Sequence, residues 1–230
     1  MIKNVFLDLD DTILDFQKGE RRAIYKAFVD MGLPVDDSII NRYIEINLSC
    51  WQALERGEMT KDQVLVDRFR LLFDELEITR SAYEAQEIYE NYLKDEHDFI
   101  EGAEELLNRF MAEGKYDLYM ATNGIPSVQK PRIKDADIAK YFKEIFISED
   151  IGYAKPSKKF FDACFEMIED FSIDKTIIVG DSLTSDILGG KNSGIKTCHF
   201  NPKNRPYSSI IPDYKINKLS ELIDLLDNIE

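Results

Sequence analysis

Asp8, Asp10 and Asp11 crowd into the stretch NVFLDLDDTILDF, directly after the apolar run of Val5, Phe6 and Leu7. Like charges this close repel, and burial pushes carboxyl pKa values up. The position therefore demands solvent, hydrogen bonds or a cation. Other polar residues follow apolar runs in the same way: Thr122 and Asn123 after LYMA, Lys155 a short loop beyond IFIS, and Asp181 after IIVG, with Asp186 closing GDSLTSD. Facing carboxylates from Asp8 and Asp181 suit a divalent cation between them, and an all-oxygen ligand set selects a hard ion, Mg²⁺ foremost. Such an ion with a lysine, a hydroxyl and loop amides makes a site for a phosphoryl group. Phosphate monoester hydrolysis needs accelerations of up to about 10²¹, and one general acid or base gives about 10²–10⁴. A covalent route with electrostatic stabilisation is then expected. Two carboxylates spaced i, i+2 can divide that labour. One attacks phosphorus; the other protonates the leaving oxygen and later activates water.

The elements that must position these residues are legible as a change of texture. After residue 14 the chain reads as about four amphipathic helices with no strand between them. ERRAIYKAFVDMG puts Ala23, Ile24, Ala27, Phe28 and Met31 on one face, with Gly32 as a stop. DSIINRYIEINLSCWQALERG repeats the pattern through Ile40, Tyr43, Ile44, Leu48, Trp51 and Leu54. The next two helices open at Thr60 and Ser81, both good N-caps. From about residue 98, short apolar runs (YDLYMAT, EIFIS, TIIVGD, KTCHF) alternate with helical patterns. That alternation, with NVFLD as a further buried strand, predicts a doubly wound parallel α/β sheet made from both ends of the chain and a helical insert after the first strand. The expected division is 1–14 with 98–230 for the core and 15–97 for the insert. Asp8, Thr122, Asn123, Lys155 and Asp181 all fall at or beyond strand C-termini, where open α/β sheets bind ligands.

Bulk properties narrow the partners. At 230 residues, 44% hydrophobic and 32% charged, the chain reads as an ordinary globular protein. Its net charge of −15 argues against a nucleic-acid polymer or an anionic membrane as partner. Any anionic ligand must find local positive charge, which screening over roughly 8–10 Å permits. Cys50, Cys164 and Cys198 are widely spaced and form no CxxC pair, so reduced thiols and a cytoplasmic setting are expected. No signal peptide is expected at the N-terminus, and no run approaches the ~20 apolar residues of a membrane span.

Taken together and in order, DLDDT, TN, the lysine of AKP and GDSLTSD resemble the motifs of the haloacid dehalogenase superfamily. Nearly the whole chain is covered, because the helical insert is similar to that family's C1 cap and the core to its Rossmann-like domain. The longer stretches SEDIGYAKPSKKFFDACFE and GDSLTSDILGGKNSGIKTCHFNP look like its pyrimidine 5′-nucleotidase branch, which acts on noncanonical nucleotides. The resemblance implies Asp8 as nucleophile forming an aspartyl-phosphate, and Asp10 as general acid and base with its backbone carbonyl on Mg²⁺. It implies Thr122 and the Asn123 amide as holders of the phosphoryl oxygens and Lys155 as neutraliser of nucleophile and phosphate. Asp181 is implied as a direct Mg²⁺ ligand, with Asp186 supporting the metal's waters. The implied substrate is a small phosphorylated metabolite, in the first place a nucleoside monophosphate.

Each residue also has a plainer reading. Asp135 and Asp137 make an i, i+2 pair with no strand before it, and read as solvated surface. Asp186 reads alternatively as the N-cap region of the ILGGKNSG helix, and Lys155 as an exposed loop lysine. GGKNSG lacks P-loop spacing. The insert's aromatic residues read mainly as its own core, and His97 and His199 as structural. Pro131 falls where a helix after TNGIPS should run, so that helix is expected to start later or kink. Asp10 argues against a true dehalogenase, and no phosphomutase hinge pattern is evident. A phosphatase of sugar phosphates or phosphoglycolate is the alternative enzyme, and a phospho-ligand-binding pseudoenzyme the alternative from another class.

Overall fold

A computed structural model describes residues 1–207 and 209–229. Six strands form one all-parallel sheet: β1 (Asn4–Leu7), β2 (Asp117–Thr122), β3 (Glu144–Ile147), β4 (Thr176–Gly180), β5 (Lys196–Phe200) and β6 (Tyr214–Ile216), in the order β3-β2-β1-β4-β5-β6. The chain lays β2 and β3 outward on one side of β1, then returns to place β4 against its other side. That reversal opens a crevice beyond the C-terminal ends of β1 and β4. The pleat divides the strands between two cores. Val5, Leu7, Leu118, Met120, Ile177 and Val179 face one apolar layer, and Phe6, Tyr119, Ala121 and Ile178 face the other. Burial on both faces is why these strands read as unbroken apolar runs.

The chain resolves into two compact units, Met1–Asp15 with Asp98–Glu230, and Phe16–His97. The second holds α1 (Phe16–Asp30), α2 (Asp37–Glu55), α3 (Lys61–Glu75) and α4 (Ala82–Leu93). Thr60 caps α3 in a full capping box with Gln63, and Ser81 accepts from the Glu84 N–H to cap α4. The apolar face expected of α2 is rotated. Leu48 is 57% exposed, whereas Ile46, Asn47 and Cys50 are buried beside Ile40 and Tyr43. A polar residue inside the face is what displaces it: Asn47 donates to Glu20 Oε1 at 2.5 Å and accepts from Arg68 Nη1 at 2.8 Å.

In the first unit the helices are α5 (Ala103–Glu113), α6 (Pro126–Asp135), α7 (Ser148–Ile151), α8 (Lys158–Glu166), α9 (Leu188–Ser193) and α10 (Leu222–Asp227). The helix after Asn123 does not start late. Pro126 opens α6 at its first turn, and Pro131 lies inside it. β6 is an addition to the strands read from sequence. It contributes three residues, too few for a period to show. No helix among the described residues is long and apolar enough to cross a membrane.

Candidate active site

Asp8 leaves β1 with its N–H donating to the Val179 carbonyl at 2.9 Å, so the backbone ladder carries it to the sheet edge. Lys155 Nζ lies in a triangle of oxygens, each at 2.6 Å: Asp8 Oδ1, Asp186 Oδ1 and the Ala121 carbonyl. Only 2% of Lys155 is exposed, which overturns the loop-lysine reading. Burial works against its charge, but Asp186 and Asp8 outweigh that and hold the ammonium above its ordinary value. Asp186 is equally buried in its role. It sits in a π-helical turn, Leu183–Ile187, whose cap is Ser182 rather than Asp186 itself. Asp186 Oδ2 accepts from the Ser182 N–H at 3.1 Å, and a Cβ on Gly180 would come within 2.1 Å of it. Position 180 is therefore glycine because the carboxylate passes over it.

Asp8, Asp181 and Asp186 each bring an oxygen within 4.8 Å of the others. Burial first, then its carboxylate neighbours, pushes Asp181 well above the usual carboxylate range. Burial likewise raises Asp8 strongly; Lys155 pulls it down, and Asp186 and Asp10 push it up again. Three carboxylates around one ammonium leave a surplus of two negative charges. The donor set is all oxygen. A divalent hard cation fits both facts, with Asp8 and Asp181 as the residues to hold it, since Asp186 already serves Lys155 and Ser182.

Thr122 ends β2, and Asn123 follows it. Asn123 clamps the Lys155 segment through its side chain: Nδ2 donates to the Lys155 carbonyl at 2.8 Å, and Oδ1 accepts from the Lys155 N–H at 2.9 Å. Thr122 Oγ1 accepts from the Gly124 N–H at 3.1 Å and from Gln129 Nε2 at 2.9 Å. Its own hydroxyl proton is thereby left to donate elsewhere.

Two residues in the site carried no signal in the sequence. Gln129 and Arg132, both 1% exposed, project from α6 onto Asp10. Arg132 Nη1 meets Asp10 Oδ1 at 2.6 Å, and Gln129 Nε2 meets Asp10 Oδ2 at 2.7 Å. His199, read as structural, sets its Nε2 against the Asp181 carbonyl at 2.8 Å, and burial lowers its pKa. Asp135 and Asp137 are both exposed, and no hydrogen bond ties either to the Asp8 cluster.

Asn123, Lys155, Asp8, Asp181 and Asp186 thus join one network, and Asp10 and Thr122 a second through Gln129, the two meeting at the adjacent residues Thr122 and Asn123 within a single compact unit. A model of the family described as haloacid dehalogenase-like hydrolase matches residues 2–194. The hydrolase YfnB of Bacillus subtilis (strain 168) is 40% identical over 229 residues, 99% of this chain and 96% of that protein. Its crystal structure, described as bound to magnesium, superposes with a TM-score of 0.93 over 99% of both chains. The pyrimidine 5′-nucleotidase PynA of Streptococcus pneumoniae is 33% identical across 98% of this chain and 95% of its own. A glyceraldehyde 3-phosphate phosphatase of Pyrococcus furiosus is 30% identical across 98% of this chain and 93% of its own.

Proposed function

This chain belongs to the haloacid dehalogenase-like hydrolase family and is a phosphatase of it, and from that premise we propose a Mg²⁺-dependent phosphomonoesterase that works through an aspartyl-phosphate on Asp8. The observation that carries the reading is the placement of Asp8 between Lys155 and Asp181, in a site whose carboxylates outnumber its cations. In the proposed reaction an Asp8 oxygen bonds to phosphorus and the ester bond to the leaving oxygen breaks. Asp10 gives that oxygen its proton. Water then attacks the phosphorus, Asp10 takes the water's proton, and Asp8 leaves as carboxylate. Thr122 and the Asn123 N–H hold the phosphoryl oxygens, and Lys155 offsets charge on both partners. When bound, the cation would neutralise the surplus charge and polarise the phosphoryl group.

For substrate we favour pyrimidine nucleoside 5′-monophosphates, on the similarity to PynA and to a second pyrimidine 5′-nucleotidase, YjjG of Escherichia coli, 29% identical. The helical unit serves in this reading as the cap that selects the substrate. Phe28, Tyr43 and Phe69 are fully buried in that unit's own core, so among the aromatic residues suited to stack on a base they are spent; Tyr25 and Trp51 keep exposed surface. Stacking on one such ring contributes about 1–3 kcal/mol in single-strand binders. The three cysteines, all free and buried, suit the cytoplasm as the place of action. A small sugar phosphate is the second reading, favoured by the Pyrococcus furiosus relative. The test is kcat/KM at equal Mg²⁺ for dUMP and UMP against glyceraldehyde 3-phosphate, phosphoglycolate and glucose phosphates. Nucleotides ahead by tenfold or more support the first reading; a sugar phosphate ahead by that margin replaces it with the second.

A further inference from the structure

We propose that Gln129 and Arg132 are positioning residues that hold Asp10 and Thr122 in one fixed geometry, so that proton donation and phosphoryl capture are set by a single side-chain frame. The inference rests on the phosphatase reading and adds the parts that fix where Asp10 stands.

The frame is fully specified by its donors. The two N–H groups of the Gln129 amide go to different acceptors, Asp10 Oδ2 at 2.7 Å and Thr122 Oγ1 at 2.9 Å. Its Oε1 accepts from Arg132 Nη1 at 2.7 Å. The same guanidinium nitrogen donates to Asp10 Oδ1 at 2.6 Å. An amide turned over would set its oxygen against a carboxylate, so this orientation is the one the partners allow. Both carboxylate oxygens of Asp10 are held from behind, yet 27% of its side chain stays exposed, enough to reach a bound ester. Gly124 completes the frame: a Cβ there would lie 2.1 Å from Gln129 Nε2. Tying Asp10 to Thr122 through one amide means that a phosphate seated on Thr122 meets the acid at a distance fixed before binding, which is where orientation yields rate.

A positioning role for an acid predicts a dependence on the leaving group. An alkyl leaving oxygen, as in a nucleotide, needs the proton; p-nitrophenolate departs without it. In Gln129→Met and Arg132→Ala, single-turnover consumption of dUMP, or of whichever alkyl phosphate the wild type turns over best, should fall about 10–100-fold more than that of p-nitrophenyl phosphate, with KM little changed. General acids typically supply about 10²–10⁴-fold, and misplacement loses a part of it. Arg132→Lys should recover most of the alkyl rate, because both of the bonds to Asp10 and Gln129 leave from one nitrogen. It also covers the chance that the buried Arg132→Ala protein does not fold. Equal losses on the two substrates in a folded Gln129→Met protein, or no loss on either, would overturn the proposal. If the wild type turns over neither phosphate, the phosphatase reading itself fails, a result distinct from either.

Discussion

Two buried charged clusters, one in each compact unit, solve the same electrostatic problem in opposite ways. In the helical unit Arg68 is 3% exposed and donates to Asn47 Oδ1 at 2.8 Å and to Gln86 Oε1 at 2.7 Å. The far ends of those amides donate to Glu20 and to Glu90. One cation is thus relayed through two neutral amides to two carboxylates, and its face also lies 4.9 Å from the Tyr89 ring. At the sheet edge no amide stands between the charges of Lys155, Asp8 and Asp186, and Asp181 adds a third carboxylate. Burying an ion costs several kcal/mol unless its partners compensate. The first cluster sets two carboxylates against its one cation and keeps all three charges apart with neutral amides. The second sets three carboxylates against one ammonium with nothing between them, and that larger surplus is what a divalent cation can neutralise.

The contrast breaks most visibly under substitution of Asp8. Asp8→Asn should cut turnover by about 10⁴–10⁶-fold, as loss of a nucleophile does in other covalent enzymes, while the metal-free protein melts no lower, since a repelled carboxylate has gone. A lowered melting temperature in chelator would show that Asp8 is a stabilising partner like those of the helical cluster. Arg68→Ala should do the reverse and destabilise the protein by about 3–5 kcal/mol in urea unfolding, because Glu20 and Glu90 lose the positive end of their relay. A change below about 1 kcal/mol would mean the helical cluster is not held by its cation. Mg²⁺ should stabilise the wild type by about 2.7 kcal/mol at a hundredfold excess over its Kd. Asp181→Asn should abolish that stabilisation, read by thermal melting with no substrate present.

The smallest effect sharpens the comparison through pH. Burial and neighbouring carboxylates hold Asp8 and Asp181 above their ordinary 3.8 in the folded state. The metal-free fold therefore keeps protons that the unfolded chain releases, so its stability is highest below that range. Stability is lost as pH rises through the raised values, by about 1.4 kcal/mol per pH unit for each proton that only the folded chain retains. Lys155, raised above 10.5, stays protonated in both states over that window and adds no slope. Urea unfolding in EDTA between about pH 4 and 8 should show the decline, and Asp8→Asn should flatten it. A rise with pH in the wild type would contradict the assignment of surplus charge.

The candidate site was largely legible because polar residues that end strands follow unbroken apolar runs, and the two-sided burial of the sheet writes those runs plainly. Asp8, Thr122 and Asp181 stood out for that reason. Gln129 and Arg132 did not, because PSVQKPRIKD presents alternating polar residues that pass for a solvated helix, and what makes them buried is Asp10, over a hundred positions away. Asn47 misled the phase of α2 in the same way: a pattern read from apolar residues misses a buried polar one. The placement of Asp186 over Gly180 depends on a π-helical turn, whose single extra residue leaves no period to read.

The central claim is that Asp8 carries the phosphoryl group between substrate and water. It is tested most directly by acid-quenching the Asp10→Asn protein, in which water activation is slowed, during turnover of p-nitrophenyl phosphate with Mg²⁺, then reducing with borohydride and sequencing the N-terminal peptide by mass spectrometry. Residue 8 alone should be phosphorylated after the quench and converted to homoserine on reduction. Phosphate on any other residue, or turnover with residue 8 unmodified at every quench time, would contradict it.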